Sequence, residues 1–259
     1  MPQPTSPGDY ADFYRQSIAP DTREAFWLEQ ARAIDWHQAP QQACDYHNPP
    51  FARWFADGQL NLCHNAVDRH LAQRADQPAI IAVSTETNTE RVYTFAQLHE
   101  EVQRMAAVLQ SFGVGKGDRV QIYMPMIAEA AFAMLACVRL GAIHSVVFGG
   151  FASVSLASRI DDAQPQAVIS ADAGARGGKA IAYKPLLDEA LQLAKHKPAA
   201  VLLVDRGLAP MPLQAGRDHL WSTLRTQPQF SEAKVPCTWL NSSDPSYILY
   251  TSGTTGKPK

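Results

Sequence analysis

The chain has 259 residues, 46% hydrophobic and 19% charged, and its 23 Lys and Arg against 25 Asp and Glu leave a net charge of −2. This globular composition has length for one large domain or two small ones, and with no basic run it carries no nucleic-acid or anionic-membrane footprint, so small-molecule chemistry is expected. The longest apolar stretch, Ala130 to Val138, ends at Arg139, far short of the about 20 residues of a membrane span.

The amino terminus, Met-Pro-Gln-Pro-Thr-Ser-Pro-Gly-Asp, has neither the basic nor the apolar region of a secretory signal, so a cytoplasmic protein is expected. Cys44, Cys63, Cys137 and Cys237 form no CxxC pair and have no His at metal-ligand spacing, which predicts reduced, packed thiols and no metal site.

Residues 1–8 are rich in Pro and Ser and read as a disordered tail. Between Tyr10 and Ile34, Phe13, Tyr14, Ile18, Phe26, Trp27 and Ala31 recur at helical spacing, predicting one or two short helices. From Asp35 to Leu60 the aromatics Trp36, Trp54 and Phe55 stand among prolines without periodicity, so residues 9–60 read as an irregular wrap around something larger.

From residue 61 the pattern is regular. A helix is predicted near Asn61 to Gln73, then strands Ala79–Ser84 and Arg91–Tyr93 joined by a polar turn. Thr94 and Gln97 form a capping box opening a helix that Leu98, Val102, Met105 and Leu109 continue.

Strand Asp118–Met124, helix Met126–Leu140, strand Ala142–Phe148 and helix Ser153–Ala163 follow. Strand Gln166–Ser170, helix Pro185–His196, strand Ala200–Asp205 and strand Tyr247–Thr251 complete the series. This alternation, with Val- and Ile-rich strands, predicts an α/β fold: a doubly wound, mostly parallel sheet with helices on both faces.

The strongest chemical signal is the final run, Tyr247-Ile-Leu-Tyr-Thr-Ser-Gly-Thr-Thr-Gly-Lys-Pro-Lys259. Gly253 and Gly256 permit the positive φ angles that turn successive N–H groups into an anion nest; Thr251, Ser252, Thr254 and Thr255 donate hydroxyls and Lys257 adds charge. The spacing is not G-x-x-x-x-G-K-[ST], so a Walker-type nucleotide-binding protein ranks last. For a lone G-x-x-G-K, a polar surface turn is the commoner explanation.

The full string resembles the signature loop of the adenylate-forming superfamily, and the rest of the chain from Phe13 resembles its short-chain acyl-CoA synthetases. The resemblance runs through Asn61-Leu-Cys-His-Asn-Ala-Val-Asp-Arg69, Tyr123-Met-Pro-Met-Ile-Ala-Glu129, Gly141-Ala-Ile-His-Ser-Val-Val-Phe-Gly-Gly-Phe-Ala152 and Ser170-Ala-Asp-Ala-Gly-Ala-Arg-Gly-Gly-Lys179. It implies that 9–60 is an acetyl-CoA synthetase-type extension and 61–259 the amino-terminal part of an AMP-binding domain.

The resemblance also implies a site for the nucleotide end of CoA at Phe148, Gly149, Gly150, Arg176, Gly177, Gly178 and Lys179. Phe148 would pack near the adenine, and Arg176 with Lys179 would pair with phosphates. On the residues alone, a strand-to-helix turn at Phe148–Phe151 and a solvated loop at Arg176–Lys179 remain open.

His144 reads as a satisfied core histidine, and Met124 and Met126 as packing. The substrates implied are ATP with Mg2+, CoA and a short carboxylate, with no bound prosthetic group; oligomeric state is left open. Pro49-Pro-Phe-Ala-Arg-Trp-Phe55 and Phe26 to Trp36 resemble propionate-activating more than acetate-activating members.

Members of the superfamily are much longer, and the resemblance places the catalytic residues, metal ligand and acyl pocket beyond Lys259. The chain alone is therefore expected to be inactive. A non-enzymatic CoA-nucleotide-binding module is the other class of function kept open.

Overall fold

The computed structural model describes residues 7–251. The chain opens with α1 (Pro7–Ile18) and α2 (Arg23–Ala31), the short helices expected, with α1 taking in Pro7 and Gly8 from the stretch read as a tail. The segment expected to be irregular instead contains an antiparallel hairpin, β1 (Cys44–Asn48) and β2 (Phe51–Trp54), followed by β3 (Gln59–Leu60). Its sequence lacks strand periodicity because both strands are mostly exposed. Edge contacts between aromatic rings knit this region together, Phe13 to Phe26, Phe26 to Trp27 and Trp27 to Trp54, at centroid distances of 4.8, 5.2 and 5.3 Å.

The helix expected over Asn61 to Gln73 is broken into α3 (Leu62–Ala66), a 3-10 turn over Asp68–His70 and α4 (Leu71–Arg74). Two polar contacts explain the break. Buried Asn61 caps α3, accepting from the Cys63 and His64 N–H groups, while its amide donates to the Val138 and Thr238 carbonyls at 2.8 Å. Val67 then leaves helical dihedrals (φ −129, ψ −64), and Asp68 meets the buried Arg139 guanidinium through both carboxylate oxygens at 2.9 to 3.0 Å. A continuous helix could not make both contacts.

Next come β4 (Pro78–Ser84) and β5 (Thr89–Thr94), an antiparallel pair, and α5 (Phe95–Ser111). The capping box is present: the Gln97 N–H donates to Thr94 Oγ1, and the Thr94 N–H to Gln97 Oε1. The alternating part follows as β6 (Arg119–Tyr123), α6 (Ala128–Leu140), β7 (Ile143–Val146), α7 (Ser153–Ala163) and β8 (Ala167–Ala171). After it stand β9 (Ala173–Arg176), β10 (Lys179–Ala182), α8 (Tyr183–Leu193) and β11 (Ala200–Val204). The described chain closes with β12 (Asp218–Leu220), α9 (Trp221–Leu224), α10 (Pro228–Ser231), β13 (Leu240–Asn241) and β14 (Tyr247–Ile248).

The central sheet has six strands in the order β12-β11-β8-β6-β7-β14, every neighbouring pair parallel. Successive strand residues face opposite sides. Val120, Ile122, Ile169, Leu202 and Val204 enter one core with α5 and α6, while Tyr123, Val168, Val201 and Leu203 enter a second with α7 and α8. The doubly wound expectation holds. Among the described residues, no helix is long and apolar enough to cross a membrane.

Inside the sheet, Gln121 is completely buried and neither polar atom of its amide has a hydrogen-bond partner among the described residues. An unpartnered buried amide costs more than an apolar group of the same shape. Gln121→Met should therefore raise the unfolding free energy by about 1 kcal/mol, read from chemical denaturation, and a lowered midpoint would contradict this account.

Burial alone would raise the Asp68 carboxyl, but hydrogen bonds from His99 and Arg139 outweigh it and hold the group well below the usual carboxylate range. Its stabilisation is thus complete above the unfolded value of about 4 and is lost as pH falls from there toward the folded one. Melts between about pH 3 and 7 should show Asp68→Ala losing about 3 to 5 kcal/mol at neutrality, because Arg139 stays buried without its partner. The penalty should shrink toward the acid end.

Candidate functional site

Because the six strands run parallel, their carboxyl ends emerge together. There the residues after β6, β7 and β11 border an open cleft of about 990 Å3, whose far wall is the β4–β5 hairpin. Its walls include Met124 to Ile127, Phe148 to Gly150, Ala175, Tyr183, Arg206 and Leu249.

Phe148, Gly149 and Gly150 form the turn from β7 to α7, closed by the Phe151 N–H donating to the Phe148 carbonyl at 3.2 Å. Phe148 is 66% exposed, leaving its ring available to a flat partner. The absent side chain at Gly149 has an internal reason: a Cβ there would collide with the Tyr183 hydroxyl and ring, and one at Gly174 would strike the same hydroxyl. Tyr183 therefore draws the turn and the start of the Ala173–Ala182 segment against each other.

That segment, where the residues alone leave a solvated loop at Arg176–Lys179 open, is a hairpin. β9 and β10 pair antiparallel, with Gly177 and Gly178 both at positive φ (58° and 75°), as a two-residue type I′ turn demands. The register sets Arg176 directly opposite Lys179. The backbone thus gathers both predicted cationic positions at one tip, and Lys179 is exposed. A Gly-Gly pair between short runs is itself a hairpin signal, masked here by alanines that carry no strand preference.

Asp172, just before β9, is a structural anchor that sequence reasoning missed. Its fully buried carboxylate accepts from the Ala173 N–H at 2.7 Å and from the Leu208 and Ala209 N–H groups at 2.7 and 3.3 Å, tying the hairpin base to the residues after β11.

Of the predicted phosphate loop, Ser252, Gly253, Thr254, Thr255, Gly256 and Lys257 lie outside the described residues, and exposed Thr251 is the last within them. The strand leading there is β14, two residues instead of the five expected, paired parallel with β7, and Leu249 just after it lines the cleft. Arg159 bridges the neighbouring elements: its guanidinium lies 4.4 Å from the Phe151 ring centroid and 5.3 Å from that of Tyr250. The Tyr250 hydroxyl donates to Asp162 at 2.6 Å.

Residues 67–259 match the AMP-binding enzyme family, and residues 10–66 match the acetyl-coenzyme A synthetase N-terminus. The chain belongs to the AMP-binding enzyme family. It is 59% identical over 96% of its length to a propionate–CoA ligase of Escherichia coli and 60% identical over 96% to one of Salmonella typhimurium, spanning 39% of each. Acetyl-coenzyme A synthetase 2 of Pseudomonas putida is 47% identical over 98% of the chain, which spans 39% of that protein. Among solved structures, acetoacetyl-CoA synthetase from Streptomyces lividans superposes with a TM-score of 0.84 at 27% identity, covering 96% of this chain and 37% of that one.

Two side-chain expectations need correction. Met126 does not pack; it is 92% exposed at the cleft mouth, because Pro125 ends the strand before it. His144 is not satisfied, since Nδ1 is buried without a partner among the described residues, and burial lowers its pKa. Cys63 and Cys237, far apart in sequence, meet Asp68 with all three potential ligand atoms within 4.8 Å. Arg139 already sits on that carboxylate and 3.5 Å from Cys63 Sγ, so the cluster is ion-paired.

Gly149→Ala should cost about 1 to 3 kcal/mol through overpacking against Tyr183. The penalty should fall sharply in a Tyr183→Ala background, and equal penalties in both backgrounds would separate Gly149 from Tyr183.

Proposed function

We propose that the chain contributes the ATP phosphate loop and the CoA-nucleotide side of a propionate–CoA ligase that forms AMP. The observation carrying this reading is the identity of about 60% with propionate–CoA ligases, against 47% with an acetyl-coenzyme A synthetase. The cleft geometry supports it, because the exposed Phe148 ring, Ala175 beside the Arg176–Lys179 tip and Leu249 ahead of the phosphate loop line one cleft.

In this reading the carboxylate of propionate attacks the α-phosphate of ATP, giving propionyl-AMP and pyrophosphate, and the CoA thiol then displaces AMP. The loop hydroxyls and Lys257 would hold the leaving pyrophosphate in line, a task of positioning and charge stabilisation. Arg176 and Lys179 serve the second step by holding CoA phosphates, and Phe148 packs on its base.

Mg2+ enters with the ATP phosphates as part of the substrate. The cluster of Cys63, Asp68 and Cys237 does not fit Mg2+, because its thiols are soft and Arg139 already neutralises its carboxylate. The free thiols fit a cytoplasmic location.

The test is a chimera in which this chain replaces the matching segment of the Escherichia coli ligase. It should make AMP and propionyl-CoA from ATP, propionate and CoA, with acetate the poorer substrate; a folded chimera with neither activity would overturn the reading. In the chimera, Lys179→Ala should raise KM for CoA about tenfold or more, as expected when a charged hydrogen bond is lost. Propionate-dependent exchange between ATP and pyrophosphate should be unchanged. Loss of both half-reactions together would remove Lys179 from the CoA site.

A further inference from the structure

The hairpin bearing Arg176 and Lys179 has no main-chain pairing with the central sheet; β9 and β10 bond only to each other. An isolated two-stranded hairpin is marginal in water, and a Cβ on either turn glycine would meet nothing within 4 Å. Its direction must therefore be set from its base and flank.

Two side chains distant in sequence supply that restraint. Glu86, in the turn joining β4 and β5, accepts from the Ala175 N–H through Oε1 at 3.1 Å, next to Arg176. Arg206, just beyond β11, donates to the Ala173 carbonyl at 3.0 Å and to Ser84 Oγ at 3.1 Å, and pairs with Glu86 Oε2. Glu86 and Arg206 together thus grip β9 at alternate residues and join it to two other walls of the cleft.

Arg206 could instead bind phosphate directly, but its position argues otherwise. Its side chain is 8% exposed, and both terminal nitrogens are already engaged with the hairpin, Ser84 and Glu86. Lys179, by contrast, is exposed with no ion-pair partner among the described residues. One cation holds the hairpin and the other is presented.

Binding a multiply phosphorylated nucleotide is tighter when the cations that receive it are already ordered. We propose that Glu86 and Arg206 are positioning residues that hold the Arg176–Lys179 hairpin in place to receive the phosphates of a nucleotide-bearing thiol of the CoA class. The inference rests on the CoA-binding part of the proposed function.

The experiment titrates CoA and dephospho-CoA against the 259-residue chain by calorimetry, with amide hydrogen exchange read on the same samples. Lys179→Ala tests the reading itself. Glu86→Ala and Arg206→Met test the clasp, and the exchanged pair Glu86→Arg with Arg206→Glu, which keeps both charges but reverses the hydrogen bonds to β9, tests whether those bonds rather than charge complementarity matter.

The expected result is CoA binding by wild type, weakened about tenfold by Lys179→Ala and about tenfold by each clasp variant, with no recovery in the exchanged pair, because the Ala175 N–H then faces a donor and the Ala173 carbonyl a carboxylate. The Ala175 amide should exchange faster in Glu86→Ala while amides of β6 and β8 keep their protection, a pattern that general destabilisation would not produce. Wild-type affinity in both clasp variants, with Lys179→Ala weakened, overturns the clasp and leaves the CoA reading standing. Folded wild type that binds no CoA at millimolar concentration overturns the CoA reading and the clasp's ligand role with it.

Discussion

Every functional feature of this chain depends on the parallelism of its central sheet. With all six strands pointing one way, each must return through a crossover, and each carboxyl end must turn outward at the same edge. Ligands of open α/β sheets bind at that edge. The consequence is spatial economy: the Phe148 turn, the hairpin after β8, Arg206 after β11 and the approach to the phosphate loop after β14 come from distant parts of the chain, yet they border one region. No local sequence preference could gather them. The sheet does so because burying both faces under α5, α6, α7 and α8 fixes strand order and direction together.

Within that frame, glycine has two separate uses. At Gly177 and Gly178 it supplies the positive φ of a tight turn, which sets two cationic positions opposite one another. At Gly149 and Gly174 it supplies room for Tyr183. The second use alters how a Gly-rich turn beside a candidate ligand site is understood, because the missing side chain lets the protein close on itself. Tyr183, buried and in ring contact with Tyr123 at 5.0 Å, links the second core to the cleft wall. A change there would be felt at both the turn and the hairpin.

Sequence reasoning succeeded where the physics is local or periodic. The capping box at Thr94 and Gln97, the near-continuous apolar runs of β8 and β11, and the amphipathic run of α5 are all short-range patterns, and the structure contains each. It failed where one residue's conformation is set by another far along the chain. Val67 breaks a helix because Asp68 must reach Arg139; Ala173 to Ala182 becomes a hairpin although its alanines advertise no strand; Cys63 and Cys237 meet without any spacing rule. Met124 and Met126, flanking Pro125 at a strand end, both looked like packing, and only the fold determines that Met124 is buried while Met126 faces solvent. The candidate site was legible as motifs through family resemblance, while Asp172, Tyr183, Glu86 and Arg206, which shape it, carry no motif.

That division has a physical basis. Groups that meet a ligand must be presented in a particular chemical form, so their types and spacings are conspicuous: glycines in succession, cations beside them, hydroxyls in a row. Groups that hold those elements need only the right partner at the right distance, and many pairs could serve. A buried carboxylate satisfied by three backbone N–H groups at Asp172 anchors the hairpin base through main-chain atoms alone. An ion pair at Glu86 and Arg206 restrains its flank through one main-chain N–H and one main-chain carbonyl, groups that almost any sequence would offer. The candidate recognition surface is thus written in side chains, while its orientation is written largely in backbone, which explains why the first can be read from a single chain and the second requires the fold.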